Sequence, residues 1–151
     1  IEGQGQLFGD VQAAYDAMKQ QYRENQIIVL GYSVGTGMAS KLASTNNPSL
    51  LILQAPYYSL VDMMRRNYRI VPTFLLKYRL ETNEYIQQCK MPVVLFHGDK
   101  DEVIPYESSL ELGKLFKPED LLITLTRQGH NGMTDNKEYR IHLSKLIDEQ
   151  K

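Results

Sequence analysis

Three side chains of the kinds used in nucleophilic catalysis follow short apolar runs in this sequence. Ser33 lies in the segment GYSVG at 31–35, a carboxylate lies in HGDKDEVIP at 97–105, and His130 lies in a later loop. An imidazole can take the proton of a serine hydroxyl, and a carboxylate can orient that imidazole and stabilise its cationic form. The combination would support acyl transfer through the serine.

The segment around Ser33 has the spacing G-x-S-x-G between an apolar run and a helical pattern. A sharp strand-to-helix turn would hold the serine in a strained backbone conformation with its Oγ exposed. We expect Gly31 and Gly35 to let the neighbouring backbone pass without Cβ clashes. The alternative is a glycine-rich helix start that binds phosphate.

The other two candidate groups lie on later loops. Asp99 and Asp101 share one loop, which could instead be a solvated acidic turn that caps the next helix. His97 ends an apolar run, so we predict a structural role with hydrogen bonds to loop backbone. His130 is flanked by glycine in an accessible loop. The order Ser, Asp, His, each after a different run, is the order that the elbow motif predicts.

Four short apolar runs are predicted to position these loops. They are Ile27–Leu30, Leu50–Leu53, Val93–Phe96 and Leu121–Leu125. Apolar runs that do not alternate are typical of strands buried on both faces, and helical patterns between them imply parallel pairing. The predicted fold class is therefore α/β, a three-layer sandwich with a mainly parallel sheet of about four strands. Ligands bind beyond the carboxyl ends of such strands.

A helix is also predicted over residues 11–22, with Asp10 as its cap. The last helix is predicted through Tyr139 and contains His142, which we interpret as a packing or surface residue. No internal repeat or linker interrupts the 151 residues, so they are predicted to form a single domain.

Composition excludes several function classes. With 17 Lys+Arg, 18 Asp+Glu and a net charge of −1, the chain is not a strongly basic nucleic-acid binder, and no nucleic-acid partner is expected. The single cysteine, Cys89, cannot form an internal disulfide, which favours a reducing, cytoplasmic location. No transmembrane segment is predicted, because no run of 18 apolar residues exists. No Cys/His cluster has the spacing of metal ligands, so no metal site is predicted.

These motifs resemble those of the α/β-hydrolase superfamily of serine hydrolases. GYSVG resembles the nucleophile elbow, HGDKDEVIP the acid loop, and Gly129-His130 the histidine loop. The segments APYYSL at 55–60 and MPVV at 91–94 are similar to the small-lid branch. That branch includes membrane-associated esterases, serine-aminopeptidase-like proteins and protein depalmitoylases.

The resemblance implies a role for each motif residue. Ser33 would be the nucleophile, His130 the base, and Asp101 rather than Asp99 the acid. The backbone N–H of Val34 would be one donor of the oxyanion hole. No cofactor is implied.

The resemblance also implies a small lid, predicted at residues 60–88. Its apolar, methionine-containing face could hold an acyl chain, and its cations could attract anionic groups. The predicted substrate-binding residues are Tyr32, Tyr57, Met63 and Met64. The alternative is a surface helix with a buried stripe and a solvated basic face.

Members of this superfamily usually carry several strands before the helix that is predicted to start near Asp10. One of the loops between those strands supplies the second oxyanion donor. We therefore expect 1–151 to be the C-terminal part of one α/β-hydrolase domain, and a poor enzyme by itself. The exposed edge at Ile27–Leu30 would favour self-association.

The predicted function is hydrolysis of a carboxylic ester or thioester through an acyl-enzyme on Ser33, with a small-molecule ester or acyl substrate. Two alternatives remain open at this point. One is a non-catalytic α/β binding module or inactive fragment, and the other is an aminopeptidase-like hydrolase.

Overall fold

The four apolar runs form one parallel sheet in the computed structural model, which describes residues 3–67 and 78–150. The strands are β1 (Ile28–Tyr32), β2 (Leu50–Gln54), β3 (Val93–Gly98) and β4 (Leu121–Leu125). They are hydrogen-bonded in the order β1-β2-β3-β4, and each pair is parallel. The predicted α/β class and parallel sheet are confirmed.

Helices connect these strands within the described part of the chain. The α-helices are α1 (Gln4–Lys19), α2 (Gly35–Ser44), α3 (Leu60–Asn67), α4 (Thr82–Ile86), α5 (Glu107–Gly113) and α6 (Lys137–Asp148). Short 3₁₀ turns cover Glu24–Gln26 and Met133–Asp135. Because every strand pair is parallel, the carboxyl ends of all four strands lie at one edge of the sheet.

The two central strands are buried along their whole length, which explains their continuous apolar sequence. On one face, Leu51, Leu53, Val93 and Leu95 pack in a cluster with residues of α1, α2 and α5. On the other face, the cluster includes Ile52, Val94 and Phe96 together with Tyr139 of α6. Helices on both faces complete the predicted three layers.

A third apolar cluster lies beside the sheet. Its buried members are Tyr57, Leu60, Met63, Tyr78, Leu80 and Ile104. Leu7 and Phe8 of α1 pack against it, as does Val103 of the loop after β3. This cluster therefore connects α1, α3 and the loop that carries Asp101.

The first helix differs from its prediction. It begins at Gln4 and not after Asp10, and its N-cap residue is Gly3. The added turns contain Leu7 and Phe8, and their packing on the third cluster offsets the low helix propensity of glycine. Of the predicted apolar stripe, Tyr15 is buried, whereas Tyr22, beyond the end of the helix, is 48% exposed.

The predicted lid at 60–88 is described only in part. Helices α3 and α4 lie at its two ends, and residues 68–77 lie outside the described residues. Within residues 3–67 and 78–150, no helix combines the length and the hydropathy that a membrane span requires.

Candidate active site

The predicted elbow forms a sharp turn between β1 and α2. Ser33 has φ 53°, a strained conformation for a residue with a side chain. Its N–H donates to the Gln54 carbonyl at 2.9 Å. Its own carbonyl accepts bonds from the Thr36 N–H at 3.0 Å and the Thr36 hydroxyl at 2.7 Å. Hydrogen bonds on both sides of Ser33 therefore hold the strained backbone in place.

Of the two glycines predicted to avoid Cβ clashes at the elbow, Gly31 has that role and Gly35 does not. A Cβ on Gly31 would lie 2.7 Å from the Ala39 Cβ, so this glycine is required for close packing of β1 on α2. A Cβ on Gly35 would meet no described atom within 4 Å, and the expected clash is absent there. The second tight position is Gly37, where a Cβ would collide with the hydroxyl of Tyr57.

Ser33, His130 and Asp101 meet at the carboxyl edge of the sheet. The Ser33 Oγ lies 3.0 Å from His130 Nε2, and His130 Nδ1 lies 2.8 Å from Asp101 Oδ2. Because a carboxylate can only accept, Nδ1 carries the proton and Nε2 is free to accept from the serine hydroxyl. This is the arrangement that proton abstraction from a serine requires.

Asp101 is ionised although its side chain is fully buried. Burial raises its pKa, but hydrogen bonds from His130, from His97 and from two backbone N–H groups lower it further than burial raises it. The N–H groups of Val103 and Ile104 donate to Oδ1 at 2.9 and 2.8 Å. The net result is a pKa well below the usual range of an aspartate.

His97 has the predicted structural role and a further contact that the sequence did not reveal. Its Nε2 lies 2.9 Å from the Ile104 carbonyl and 3.3 Å from Asp101 Oδ2. Its Nδ1 lies 2.7 Å from the Ser109 hydroxyl. The side chain is fully buried, and it contacts the same Asp101 Oδ2 atom that His130 Nδ1 contacts.

The loop that carries His130 is held by residues at the end of β3. Arg127 has φ 58°, and its N–H donates to Asp99 Oδ1 at 2.6 Å. A Cβ on Gly98 would lie 2.7 Å from the carbonyl carbon of Gln128, so this glycine allows the two loops to approach. Asp99 therefore braces the loop, whereas Asp101 contacts the imidazole.

The predicted oxyanion donor, the backbone N–H of Val34, has no hydrogen-bond partner among the described residues. Val34 lies at the N-terminus of α2. Its carbonyl accepts a bond from the Tyr57 hydroxyl at 3.2 Å. An N–H group without an internal acceptor is what the predicted oxyanion donor requires.

The structure places three of the four predicted substrate-binding residues in or against the third cluster, and Tyr32 apart from them, beside His130. Tyr57 is fully buried beneath the elbow, and burial raises the pKa of its hydroxyl. Met63 is buried in the third cluster, and Met64 is half-buried beside it. Tyr32 is 40% exposed, and its ring stacks on His130. None of the side chains of Tyr57, Met63 and Met64 has a hydrogen bond to Ser33 or His130 within the described residues.

Two buried polar contacts near the strand ends carried no sequence signal. Gln54, the last residue of β2, donates a side-chain hydrogen bond to the Tyr139 hydroxyl. Ala55 follows with φ 49°, and its N–H donates to the Phe96 carbonyl at 2.8 Å. Among residues 3–67 and 78–150, no group of three His, Cys, Asp or Glu side chains is arranged to hold a metal ion.

Comparison with known families decides the classification. The family model described as "Serine aminopeptidase, S33" matches residues 1–83, more than half of the 151-residue chain. The chain belongs to this family. The matched segment of the serine aminopeptidase S33 family includes the elbow at Ser33 but ends before Asp101 and His130.

Curated relatives of the chain are named as alpha/beta hydrolase domain-containing proteins. The chain is 26% identical over 144 residues to the Caenorhabditis elegans alpha/beta hydrolase domain-containing protein aho-3, covering 94% of this chain and 42% of the relative. It is 25% identical over 146 residues to the human alpha/beta hydrolase domain-containing protein 17B, covering 95% and 50%. The chain thus spans about half the length of the curated relatives it matches.

Solved structures support the same fold. An esterase of Pyrococcus furiosus superposes with a TM-score of 0.77 at 17% identity, covering 98% of this chain and 63% of that protein. The esterase domain of a Rhodothermus marinus protein gives 0.74 at 15% identity, covering 93% and 66%. The chain is an α/β hydrolase by fold and family, as the motifs implied.

Proposed function

We propose that this chain carries the catalytic groups of a serine hydrolase that cleaves a carboxylic ester or thioester. The observation that carries the proposal is the continuous pair of contacts from Ser33 Oγ to His130 Nε2 at 3.0 Å and from His130 Nδ1 to Asp101 at 2.8 Å. The family assignment supports hydrolysis as the reaction class.

The first half of the reaction forms an acyl-enzyme. His130 Nε2 takes the hydroxyl proton as Ser33 Oγ attacks the substrate carbonyl carbon. The carbonyl oxygen becomes negatively charged and accepts a hydrogen bond from the Val34 N–H. As the tetrahedral intermediate collapses, His130 donates the proton to the departing alcohol or thiol, and the acyl group stays on Ser33.

The second half releases the acid. His130 takes a proton from water, the resulting hydroxide attacks the acyl carbon, and the proton returns to Ser33 as the acid leaves. Throughout, the ionised Asp101 stabilises the imidazolium form of His130, and its lowered pKa keeps it ionised at neutral pH. No cofactor takes part in these steps.

The apolar surroundings of the elbow favour an acyl substrate. Tyr57 of the third cluster bonds to the Val34 carbonyl, and Ile104 of the same cluster follows Asp101 on its loop. Met63 and Met64 pack in this cluster, and methionine adapts its shape to flexible chains. Met64 and the exposed Val34 are the apolar side chains that we propose to contact the acyl part.

The direct test is hydrolysis of a nitrophenyl ester by the full-length protein and by its Ser33→Ala variant. We expect the variant to lose turnover by several orders of magnitude while its thermal unfolding stays close to wild type. Unchanged hydrolysis in Ser33→Ala would contradict the proposal. Absence of hydrolysis from the wild-type protein on a broad ester and thioester panel would favour a non-catalytic binding module.

The family description favours one further candidate, a serine aminopeptidase. The same Ser33, His130 and Asp101 geometry would serve amide cleavage, because both reactions pass through an acyl-enzyme. A panel of matched ester, thioester and aminoacyl-amide substrates separates the candidates. A higher kcat/KM for the aminoacyl amides than for the esters would favour the peptidase.

A further inference from the structure

Tyr32 makes two separate contacts with the same histidine. Its hydroxyl donates a hydrogen bond to the His130 carbonyl at 2.9 Å. Its ring also stacks on the imidazole, with the ring centroids 5.3 Å apart and the planes 30° from parallel. One side chain thus holds both the backbone and the ring of His130.

The loop that carries His130 needs such support. It lies between Gly129 and Gly132, and Gly132 has φ 76°. Glycine restricts the backbone least of all residues, so contacts must fix this loop. The Gln128 side chain donates to the carbonyls of Gly129 and Asn131, and Tyr32 donates to the carbonyl of His130 between them. Asp101 contacts the imidazole only at Nδ1, which fixes one atom of the ring but not the backbone that carries it.

We propose that Tyr32 is a positioning residue that holds His130 within reach of Ser33, an inference that rests on the function proposed above. Tyr32 directly precedes Ser33 in the chain and ends β1, a strand that is hydrogen-bonded to β2. A contact from Tyr32 to His130 therefore links the proposed base to the rigid backbone that carries the proposed nucleophile.

The environment of Tyr32 supports this role. Burial and the nearby charge of Asp101 raise the pKa of Tyr32, so the hydroxyl stays protonated and able to donate at neutral pH. The side chain is 40% exposed and belongs to none of the three apolar clusters. Its removal should consequently affect the site much more than the fold.

The test compares two substitutions in the full-length protein. Tyr32→Phe removes the hydrogen bond and keeps the ring, and Tyr32→Ala removes both contacts. We expect kcat for a nitrophenyl ester to fall about 2- to 10-fold in the first variant, the effect of one net hydrogen bond. We expect a fall of about 10²-fold in the second, as for a misplaced catalytic group, with KM unchanged in both. Tyr22→Ala is the control, because Tyr22 is 48% exposed and lies beyond the end of α1, before the amino end of β1, whereas Tyr32 lies at the carboxyl end of that strand.

A second measurement distinguishes positioning from a general structural effect. The NMR resonance of the His130 Nδ1 proton, which is protected by the bond to Asp101, should broaden in Tyr32→Ala and stay sharp in Tyr22→Ala. Unchanged kcat in both Tyr32 variants would overturn the inference, as would a change confined to KM, which would identify a substrate contact. If Tyr32→Ala does not fold, the kcat of Tyr32→Phe alone tests the inference.

The Ser33→Ala variant separates this inference from the proposed function. Loss of hydrolysis in Ser33→Ala supports the proposed function. If kcat is then unchanged in both Tyr32→Phe and Tyr32→Ala, only the positioning role of Tyr32 is overturned. Retained hydrolysis in Ser33→Ala would overturn the function, and the inference with it.

Discussion

The two aspartates on the loop after β3 have different partners, so the same substitution should lower kcat by very different amounts at the two positions. Asp101 accepts a hydrogen bond from His130 Nδ1, whereas Asp99 accepts one from the Arg127 backbone. Asparagine at 101 cannot carry the charge that stabilises imidazolium and favours the wrong histidine tautomer. Asparagine at 99 keeps an oxygen that can accept the Arg127 N–H.

We therefore predict that Asp101→Asn lowers kcat about 10⁴-fold, whereas Asp99→Asn lowers it about 10-fold or less. Ester hydrolysis by the two full-length variants, measured side by side, checks this. Equal losses in both would leave the assignment of Asp101 as the acid unsupported.

The lowered pKa of Asp101 also predicts how stability depends on pH. Because the folded pKa lies below the unfolded value of about 3.9, ionised Asp101 stabilises the fold fully above that value. This contribution is lost as the pH falls through the folded pKa. In urea unfolding, the difference in free energy of unfolding between wild type and Asp101→Asn should shrink as the pH falls below 4 toward the folded pKa of Asp101. A difference that grows as the pH falls would show that the pKa of Asp101 is raised, not lowered.

At the scale of elements, the elbow gives a matched pair of glycine substitutions. A Cβ on Gly37 would collide with the Tyr57 hydroxyl and lie 3.0 Å from the Leu80 Cβ, whereas one on Gly35 would meet no described atom within 4 Å. We predict that Gly37→Ala destabilises the fold by about 1–3 kcal/mol. Gly35→Ala should be neutral or stabilising, by up to about 1 kcal/mol, because alanine favours helix.

Chemical denaturation of both variants checks this pair, with hydrolysis used only to confirm that each is folded correctly. Equal destabilisation by the two substitutions would mean that Gly35 is as crowded as the sequence motif suggested.

The sequence predicted the strands well because each strand is a short apolar run. Because both faces of β2 and β3 are buried, apolar residues occupy consecutive positions instead of every second position. Such apolar runs are easy to recognise in a sequence. The meeting of Ser33, Asp101 and His130 could also be predicted from the sequence, since parallel strands bring the loops that follow them to one edge of the sheet.

Other features had no local signal. Ala55 and Arg127 adopt positive φ, and nothing in their side chains favours that conformation. The early start of α1 depends on Leu7 and Phe8 packing against residues far along the chain. The contact of Tyr32 with His130 joins residues 98 apart, so only the folded arrangement reveals it.

On the scale of the whole molecule, β1 is covered less completely than the central strands. It pairs with β2 and with no other strand in the described residues, and Leu30 is 48% exposed. An uncovered apolar strand can pair with another chain. We propose that the 151-residue chain, expressed alone, self-associates through this edge.

The matched substitutions are Leu30→Lys at the edge and Leu110→Lys on α5, where Leu110 is 46% exposed. A charged residue on an edge strand opposes pairing between chains. We predict that sedimentation velocity finds oligomers for the wild-type chain and for Leu110→Lys, and mainly monomers for Leu30→Lys. A monomeric wild-type chain would contradict the proposal.

The central claim, that Ser33 is a nucleophile activated by His130, is tested most directly by covalent labelling. The full-length protein is treated with a fluorophosphonate, and the modified peptide is located by mass spectrometry, alongside the Ser33→Ala and His130→Ala variants. We predict one phosphonylated residue, Ser33, with labelling abolished in Ser33→Ala and slowed at least about 10³-fold in His130→Ala, because the hydroxyl then has no base. Labelling of another residue, or an equal rate of Ser33 labelling without His130, would contradict the account.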